Sequence, residues 1–393
     1  MTEVQSHTAP APHLVHVAVD APQHSGLSRP LDYLSEGHLP AGCLVRVPLG
    51  RREVLGIVWD PPPAPDGPTG APADDGSAGA PDDRPAAAPA DGPASPARDA
   101  SSDVPMSLKT VRSRFDPLPQ LPRPWRTLVD FASAYYQRGT GELALSVLPP
   151  ELRKIDPGTL APRLARLVRR LDKADSARQA APSPERPPLS DEQQGALQAF
   201  EAARQQARPV PLLLHGVTGS GKTEVYLRAA ESVLADGRQV LVLVPEINLT
   251  PQLESRFAAR FPGRRLVAMH SGLTPAQRLS HWLQALIGRA DIVLGTRLSV
   301  FAPLPQLGLI VVDEEHDASY KQQEGARYSA RDLAVYRGHV EAVPVILGSA
   351  TPSLESWQRA EEGRYQRVTL ARRVGDGALP RVRLFDMGTL PKE

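Results

Sequence analysis

Residues 14–19, 43–47 and 54–59 alternate apolar and polar positions, with turn signals at Pro40, Gly42 and Gly50 between the runs. A period of two predicts half-buried strands, so these runs predict a small β-rich module. Residues 108–111 read as a strand returning to it. The period then changes. Trp125, Leu128, Val129, Ala132 and Tyr135 recur at helical spacing, as do Leu160, Leu164, Leu167, Val168 and Leu171 with arginines between them. From Leu189 onward, strand-sized apolar runs over 210–215, 239–245, 265–270, 291–295, 307–312 and 343–348 are separated by helix-length segments. One of these segments opens at Thr274 and Pro275, a capping residue followed by proline at the first helical position. Strands alternating with helices predict a parallel sheet with helices on both faces.

The pattern divides the chain into three. Residues 1–115 form the β-rich part, 116–188 a small helical domain ending in a Pro-rich hinge over 180–188, and 189–393 an α/β lobe. The first part is interrupted. Residues 61–105 hold twelve of the 42 prolines, eight Asp and two Arg, with no periodicity and no large apolar side chain except Val104. Such a stretch cannot offset its own ordering entropy, which predicts a disordered insertion in a loop of the β-rich module.

Composition changes this picture in three ways. The insertion carries a formal charge of −6 while the whole chain of 393 residues carries +1, so the rest is basic at +7. No apolar run approaches the roughly 20 residues of a membrane span, and residues 1–12 lack a basic region followed by an apolar stretch. A cytoplasmic protein without membrane contact is expected. The single cysteine, Cys43, can form neither an internal disulfide nor a thiolate metal site. Of 45 basic residues 39 are Arg, which reads first as the coding bias of a GC-rich genome and second as a preference for phosphate contacts. The basic face of Arg163, Arg166, Arg169 and Arg170 reads as a solvated face before it reads as a phosphate contact.

Residues 216–223, Gly-Val-Thr-Gly-Ser-Gly-Lys-Thr, follow a buried-looking strand and open a helix. This spacing in this context is the phosphate-binding P-loop: Gly216, Gly219, Ser220 and Gly221 let backbone N–H groups close around phosphate oxygens. Lys222 would reach the β- and γ-phosphates, and Thr223 would hold Mg²⁺ through its hydroxyl. Farther on, the apolar run 309–312 ends in Asp313-Glu314-Glu315-His316. Asp313 at a strand end suits Mg²⁺, and Glu314 suits orienting and deprotonating an attacking water. The second carboxylate favours ATP hydrolysis over transfer to another acceptor.

These residues resemble a known family. Residues 313–316, 348–352 (Gly-Ser-Ala-Thr-Pro) and 295–297 (Gly-Thr-Arg) look like motifs II, III and Ib of superfamily 2 helicases. Residues 244–252 and 320–337 are more specific and resemble the PriA family of replication restart helicases over nearly all of the chain outside the insertion. The resemblance implies a RecA-like P-loop lobe preceded by a β-rich domain that binds DNA 3′ ends and a winged-helix-like domain. It implies an ATP-dependent 3′→5′ DNA helicase that recognises stalled or abandoned replication forks and loads the primosome. Branched and single-stranded DNA, single-strand-binding protein and other primosome proteins are the implied partners. By motif match, Asp32 meets a 3′-hydroxyl, whose proton a carboxylate can accept, and Gly50 and Lys109 lie near the same pocket. Without the resemblance, Asp32 would read as a turn residue. Gln193 matches a residue that reads the adenine edge, an amide being donor and acceptor at once. Tyr320, Lys321, Tyr328 and Arg331 match an aromatic-rich loop that senses single-stranded DNA by stacking and relays that to the ATP site. Ala326 stands where an aromatic residue often occurs, which shifts the expected stacking to Tyr328. Packing is the competing role for both tyrosines. Ser349 and Thr351 are implied to couple nucleotide state to movement.

The chain departs from the family pattern by stopping shortly after the first RecA-like lobe. Family members continue with a cysteine-rich zinc insertion, a second lobe with an arginine finger and a C-terminal domain. ATP and Mg²⁺ are therefore the cofactors expected here, and zinc has no ligands in this chain. A single lobe is expected to bind ATP and hydrolyse it slowly. The alternative function is a fork-binding primosome scaffold without unwinding activity, and a generic P-loop ATPase acting off DNA is a third, which residues 320–337 oppose.

Overall fold

The computed structural model describes residues 12–21, 28–61, 108–178, 186–249 and 251–374. The expected insertion over 61–105, apart from its first residue, and most of the hinge over 180–188 lie outside them. Five strands form the first unit: β1 (His13–Val19), β2 (Leu31–Ser35), β3 (Leu44–Leu49), β4 (Arg52–Trp59) and β5 (Ser113–Arg114), in the order β2-β1-β4-β3-β5. All named pairs are antiparallel. Alternate residues point to opposite faces, and here both faces are covered. Val15, Val17, Val19, Tyr33, Val45 and Val47 fill the unit's own core, while Ala18, Leu44, Leu55, Ile57 and Trp59 face the helices.

The returning strand differs from its expected position. Residues 109–111 join β2, with Leu34 N–H donating to Lys109 C=O at 2.9 Å and Val111 N–H to Leu34 C=O at 2.8 Å. Two residues on, β5 pairs with β3. One short segment therefore ties both edges of the sheet, which leaves neither edge of β2 nor of β3 open to a further strand at these positions. Strand β2 itself is absent from the sequence expectations. Its five residues carry too little alternation to stand out, and Asp32 lies within it rather than in a turn.

The helical segment comprises α1 (Arg123–Tyr135), α2 (Thr140–Ser146), a 3-10 turn at Pro150–Arg153 and α3 (Pro157–Arg178). Trp125, Leu128, Val129 and Ala132 are buried as their spacing predicts, whereas Tyr135 is 68% exposed. Helix α2 was not legible, being seven residues long with Gly141 inside it. That glycine is required by packing: a β-carbon on it would lie 1.9 Å from the carbonyl oxygen of Val19 in β1.

The helical segment shares a core with the lobe. Trp125 Nε1–H donates to Phe301 C=O at 2.7 Å, and the rings of Phe131 and Tyr336 stack with centroids 3.6 Å apart. Ser329 N–H donates to the Tyr136 hydroxyl at 3.0 Å. Arg163, Arg166, Arg169 and Arg170 of α3 remain exposed.

The lobe runs α4 (Asp191–Arg204), β6 (Leu212–Gly216), α5 (Lys222–Ala235), β7 (Gln239–Leu243), α6 (Pro251–Arg260), β8 (Leu266–Met269), α7 (Pro275–Leu286), β9 (Ile292–Gly295), β10 (Leu307–Val312), α8 (Ala330–Glu341), β11 (Val345–Ser349), α9 (Leu354–Glu361) and β12 (Gln366–Leu370). Its seven strands lie in the order β12-β6-β11-β10-β7-β9-β8, all parallel. This is the α/β fold of a RecA-like lobe. The six predicted strands recur within one or two residues, and α7 begins at the predicted cap, where Thr274 and Gln277 form a capping box. Strand β12 escaped notice because it is an edge strand with mostly exposed side chains. In an open parallel sheet, ligands bind outside the carboxyl ends of the strands, where β6, β10 and β11 deliver residues 216–223, 313–316 and 349–351.

Candidate nucleotide site and its neighbouring loops

The phosphate loop is built by a strand that stops at Gly216 and a helix that starts at Lys222, with five residues between them. Gly219 and Gly221 take φ of +83° and +82°, the left-handed region that glycine enters without strain. Lys222 is almost fully buried and its Nζ donates to Gly216 C=O at 2.9 Å, which holds the ammonium inside the loop. Nζ also lies 4.0 Å from Oε1 of Glu314. The Oγ of Ser220 is buried and unpartnered. A buried hydroxyl without a partner is costly, and at the inner face of a loop of N–H groups it suits a phosphate oxygen.

Gln193 sits against the same loop from the first turn of α4. Its Oε1 accepts from Ser190 N–H at 2.9 Å, closing a capping box, and its Nε2 donates to Ser220 C=O at 3.2 Å. An amide has two donor hydrogens and two acceptor lone pairs. Nε2 also donates to Gly221 C=O at 3.4 Å, so both donor hydrogens are engaged and one lone pair of Oε1 remains for a base edge.

Strand β10, buried at every position, carries the acids. Tyr226 of α5 donates its hydroxyl hydrogen to Asp313 Oδ1 at 3.0 Å. Burial, followed by the neighbouring charge of Glu314, raises the Asp313 carboxyl above the ordinary carboxylate value. Glu314 takes φ of +44°, a strained conformation for a residue with a side chain. Its Oε2 lies 3.7 Å from Nδ1 of His316, which in turn lies 2.7 Å from Ser349 Oγ. Thr351 N–H donates to that same Oγ at 2.9 Å, and Thr351 Oγ1 lies 3.5 Å from His316 Nε2. Ser349 and Thr351 thus reach Glu314 through one imidazole.

Two of the residues expected to stack on DNA are elsewhere. Tyr320 is 2% exposed, and its hydroxyl lies 2.6 Å from Asp313 C=O and 2.9 Å from Leu243 C=O. It braces the strand end that carries the acid, and burial pushes its phenol well up. Tyr328 is 4% exposed and packs edge-on against Phe301 with centroids 5.2 Å apart. Neither ring offers a face to a base in this conformation, because the lobe's core claims both. Tyr328 does line a cavity of about 580 Å³ shared by α2 and the lobe. Arg331 is likewise turned inward, where it meets Glu315, Asp332 and Ser353. Lys321 is exposed, with Nζ 5.6 Å from the ring centroid of Tyr136.

In the first unit, Oδ1 of the half-exposed Asp32 lies 2.7 Å from His16 Nδ1 on the paired strand. Gly50, at φ +61° in the β3–β4 turn, accepts from Lys109 Nζ at 3.1 Å. Lys109 is tied to β2 through its carbonyl, so Gly50, Lys109 and the strand of Asp32 come together. His16 and Tyr226 were missed, because only the strand pairing and the helix–strand contact bring them to their acids.

Among the described residues no helix is long and apolar enough to cross a membrane, and no group of three or more metal-ligating side chains forms. Residues 192–360 match the DEAD/DEAH box helicase family and residues 16–71 the 3′DNA-binding domain family. The chain is similar to the replication restart protein PriA of Bacillus subtilis, 46% identical over 51% of this chain and 25% of that protein. With that of Haemophilus influenzae it is 50% identical over 44% and 24%. With that of Rickettsia felis it is 32% identical over 91% of this chain and 46% of that one. The chain therefore spans less than half the length of these relatives. Among solved structures, RecG bound to a three-way DNA junction aligns over 64% of this chain and 30% of its own at 21% identity, TM-score 0.36.

Proposed function

We propose that this chain, which belongs to the replication restart protein PriA family over the N-terminal part of that family's length, is the ATP-binding and fork-recognising portion of a 3′→5′ DNA helicase. The observation that carries the reading is the meeting of Lys222 with Glu314, 4.0 Å apart, at the end of a parallel sheet. A phosphate-gripping cation and a water-orienting carboxylate are the two halves of a nucleotide hydrolysis site.

The residues fit the cofactors. The orphaned Ser220 hydroxyl, the two left-handed glycines and the inward ammonium suit a triphosphate. Thr223 and Asp313 would hold Mg²⁺, which when bound neutralises charge on the phosphate oxygens. In this reading the loop N–H groups orient the phosphates, Lys222 offsets their charge, and Glu314 takes a proton from the attacking water. Nδ1 of His316 faces both the Glu314 carboxylate and the Ser349 hydroxyl, and its Nε2 faces Thr351. A change at either end is felt at the imidazole.

The first unit supplies recognition. Asp32, oriented by His16, accepts a hydrogen bond from a terminal 3′-hydroxyl, which a 3′-phosphate cannot give. Lys109 adds positive charge beside it. Primosome loading, and contact with single-strand-binding protein, belong to the same reading.

The test is ATP hydrolysis by the 393-residue chain with a fork bearing a free 3′-hydroxyl arm, the same fork ending in 3′-phosphate, and no DNA. The reading expects turnover that is stimulated by the 3′-hydroxyl fork and lost in Lys222→Ala. Equal binding and stimulation by both forks would remove the role of Asp32. Turnover unchanged in Lys222→Ala would remove the nucleotide site.

A further inference from the structure

We propose that the segment leaving β12, residues 372–374, is the outer wall of the base site, with Arg373 and Val374 covering the face of a purine whose edge meets Gln193. This rests on the nucleotide-binding reading above and adds residues to it that lie outside every motif in the chain.

The segment and the strand end ahead of it are fastened at three points, two on the phosphate loop and one on α4. Val374 N–H donates to Gly219 C=O at 2.9 Å, and Arg372 N–H donates to Oε2 of Glu192 at 3.2 Å. Upstream, Val217 N–H donates to Leu370 C=O at 3.2 Å. Glu192 directly precedes Gln193, so the first turn of α4 positions both the base-reading amide and the wall opposite it. Gly221 marks how closely they converge. A β-carbon there would lie 2.2 Å from Gln193 Nε2 and 3.2 Å from a Val374 methyl. Gln193 and Val374 therefore flank one backbone position of the phosphate loop.

The exposed chemistry suits a flat aromatic ring. Val374 is 58% exposed and Val217 37%, two apolar side chains open to solvent beside a loop built for a polar ligand. The Cγ and Cδ of Arg373 lie 3.9 Å from where a Gly219 β-carbon would sit, which runs the arginine stem along the loop's outer face. A guanidinium is planar and weakly hydrated, and it stacks on π-systems. A purine leaving the phosphate nest on the Gln193 side meets the Val374 methyls and the Arg373 plane. None of these contacts involves the Gly219 carbonyl, so the clasp persists with nucleotide bound.

Calorimetric binding of ADP and of inorganic tripolyphosphate to the 393-residue chain separates base from phosphate. Arg373→Lys keeps the charge and loses the plane, and Val374→Ala keeps the backbone N–H and loses two methyls. Each is expected to weaken ADP about three- to fivefold, as an exposed stacking contact would, with tripolyphosphate affinity and melting temperature unchanged. ADP affinity untouched in both variants, or ADP and tripolyphosphate weakened together, would overturn the wall. A parent chain that binds neither ligand would overturn the nucleotide site itself and the wall with it.

Discussion

Nη1 of Arg331 lies 3.3 Å from Oε2 of Glu315, a carboxylate with 1% of its surface exposed. Glu315 also accepts from Ser353 N–H at 2.7 Å and from Ser356 Oγ at 2.8 Å. Arg331 opens α8, at the end of the loop expected to sense DNA, and Glu315 adjoins Glu314. The ion pair is thus a direct mechanical link between that loop and the hydrolysis acids. Removing one partner of a buried pair leaves an uncompensated charge. Arg331→Ala is expected to lower unfolding free energy in urea by about 3 kcal/mol. Adding Glu315→Gln should recover part of that loss, because a neutral amide needs no countercharge. A double variant less stable than Arg331→Ala would sink the explanation.

Asp313 carries a pH signature. Its folded carboxyl is raised above the ordinary 3.8 by burial and by Glu314. Between these values the folded state binds more protons than the unfolded one, so stability falls as pH rises through that window. The sign is opposite to that of a paired carboxylate. Asp313→Asn should therefore melt higher than the parent at neutral pH, with the gap closing as pH is lowered toward 3.8. A gap that widens on acidification is the contrary result.

Tyr320 offers a choice between bracing and stacking. Tyr320→Phe keeps the ring and removes the hydroxyl shared by the carbonyls of Asp313 and Leu243. Bracing predicts a stability loss of about 1 to 3 kcal/mol and slower ATP turnover, with single-stranded DNA affinity unchanged by fluorescence anisotropy. A variant as stable and active as the parent would return Tyr320 to the stacking role.

Glu314→Gln should lower ATP turnover about a hundredfold or more while ADP affinity stays at the parent level. Turnover within a fewfold of the parent would mean that another group takes the proton.

The helical segment is held to the lobe by a bond the sequence does not announce. Trp125→Phe leaves the buried Phe301 carbonyl without its donor, which should cost about 1 to 3 kcal/mol. Hydrogen exchange over α1 should rise more than over α5. Uniform exchange across both helices would place the effect elsewhere.

Much of the lobe is local in the chain, and local features are legible. Six buried strands, the Thr274 cap and the phosphate loop are each written within a few consecutive residues, because glycines at 219 and 221 and an apolar run ahead of Asp313 have few other uses. Strand β2, edge strand β12 and the short helix α2 have no such self-contained pattern, since each is stabilised by a neighbour distant in sequence. Only the tertiary structure decided which way Tyr320, Tyr328 and Arg331 face. Their types suit bases and phosphates, but a ring or guanidinium goes where burial and partners favour it most. Here the carbonyl of Asp313, the edge of Phe301 and the buried charge of Glu315 supply those partners from inside the lobe.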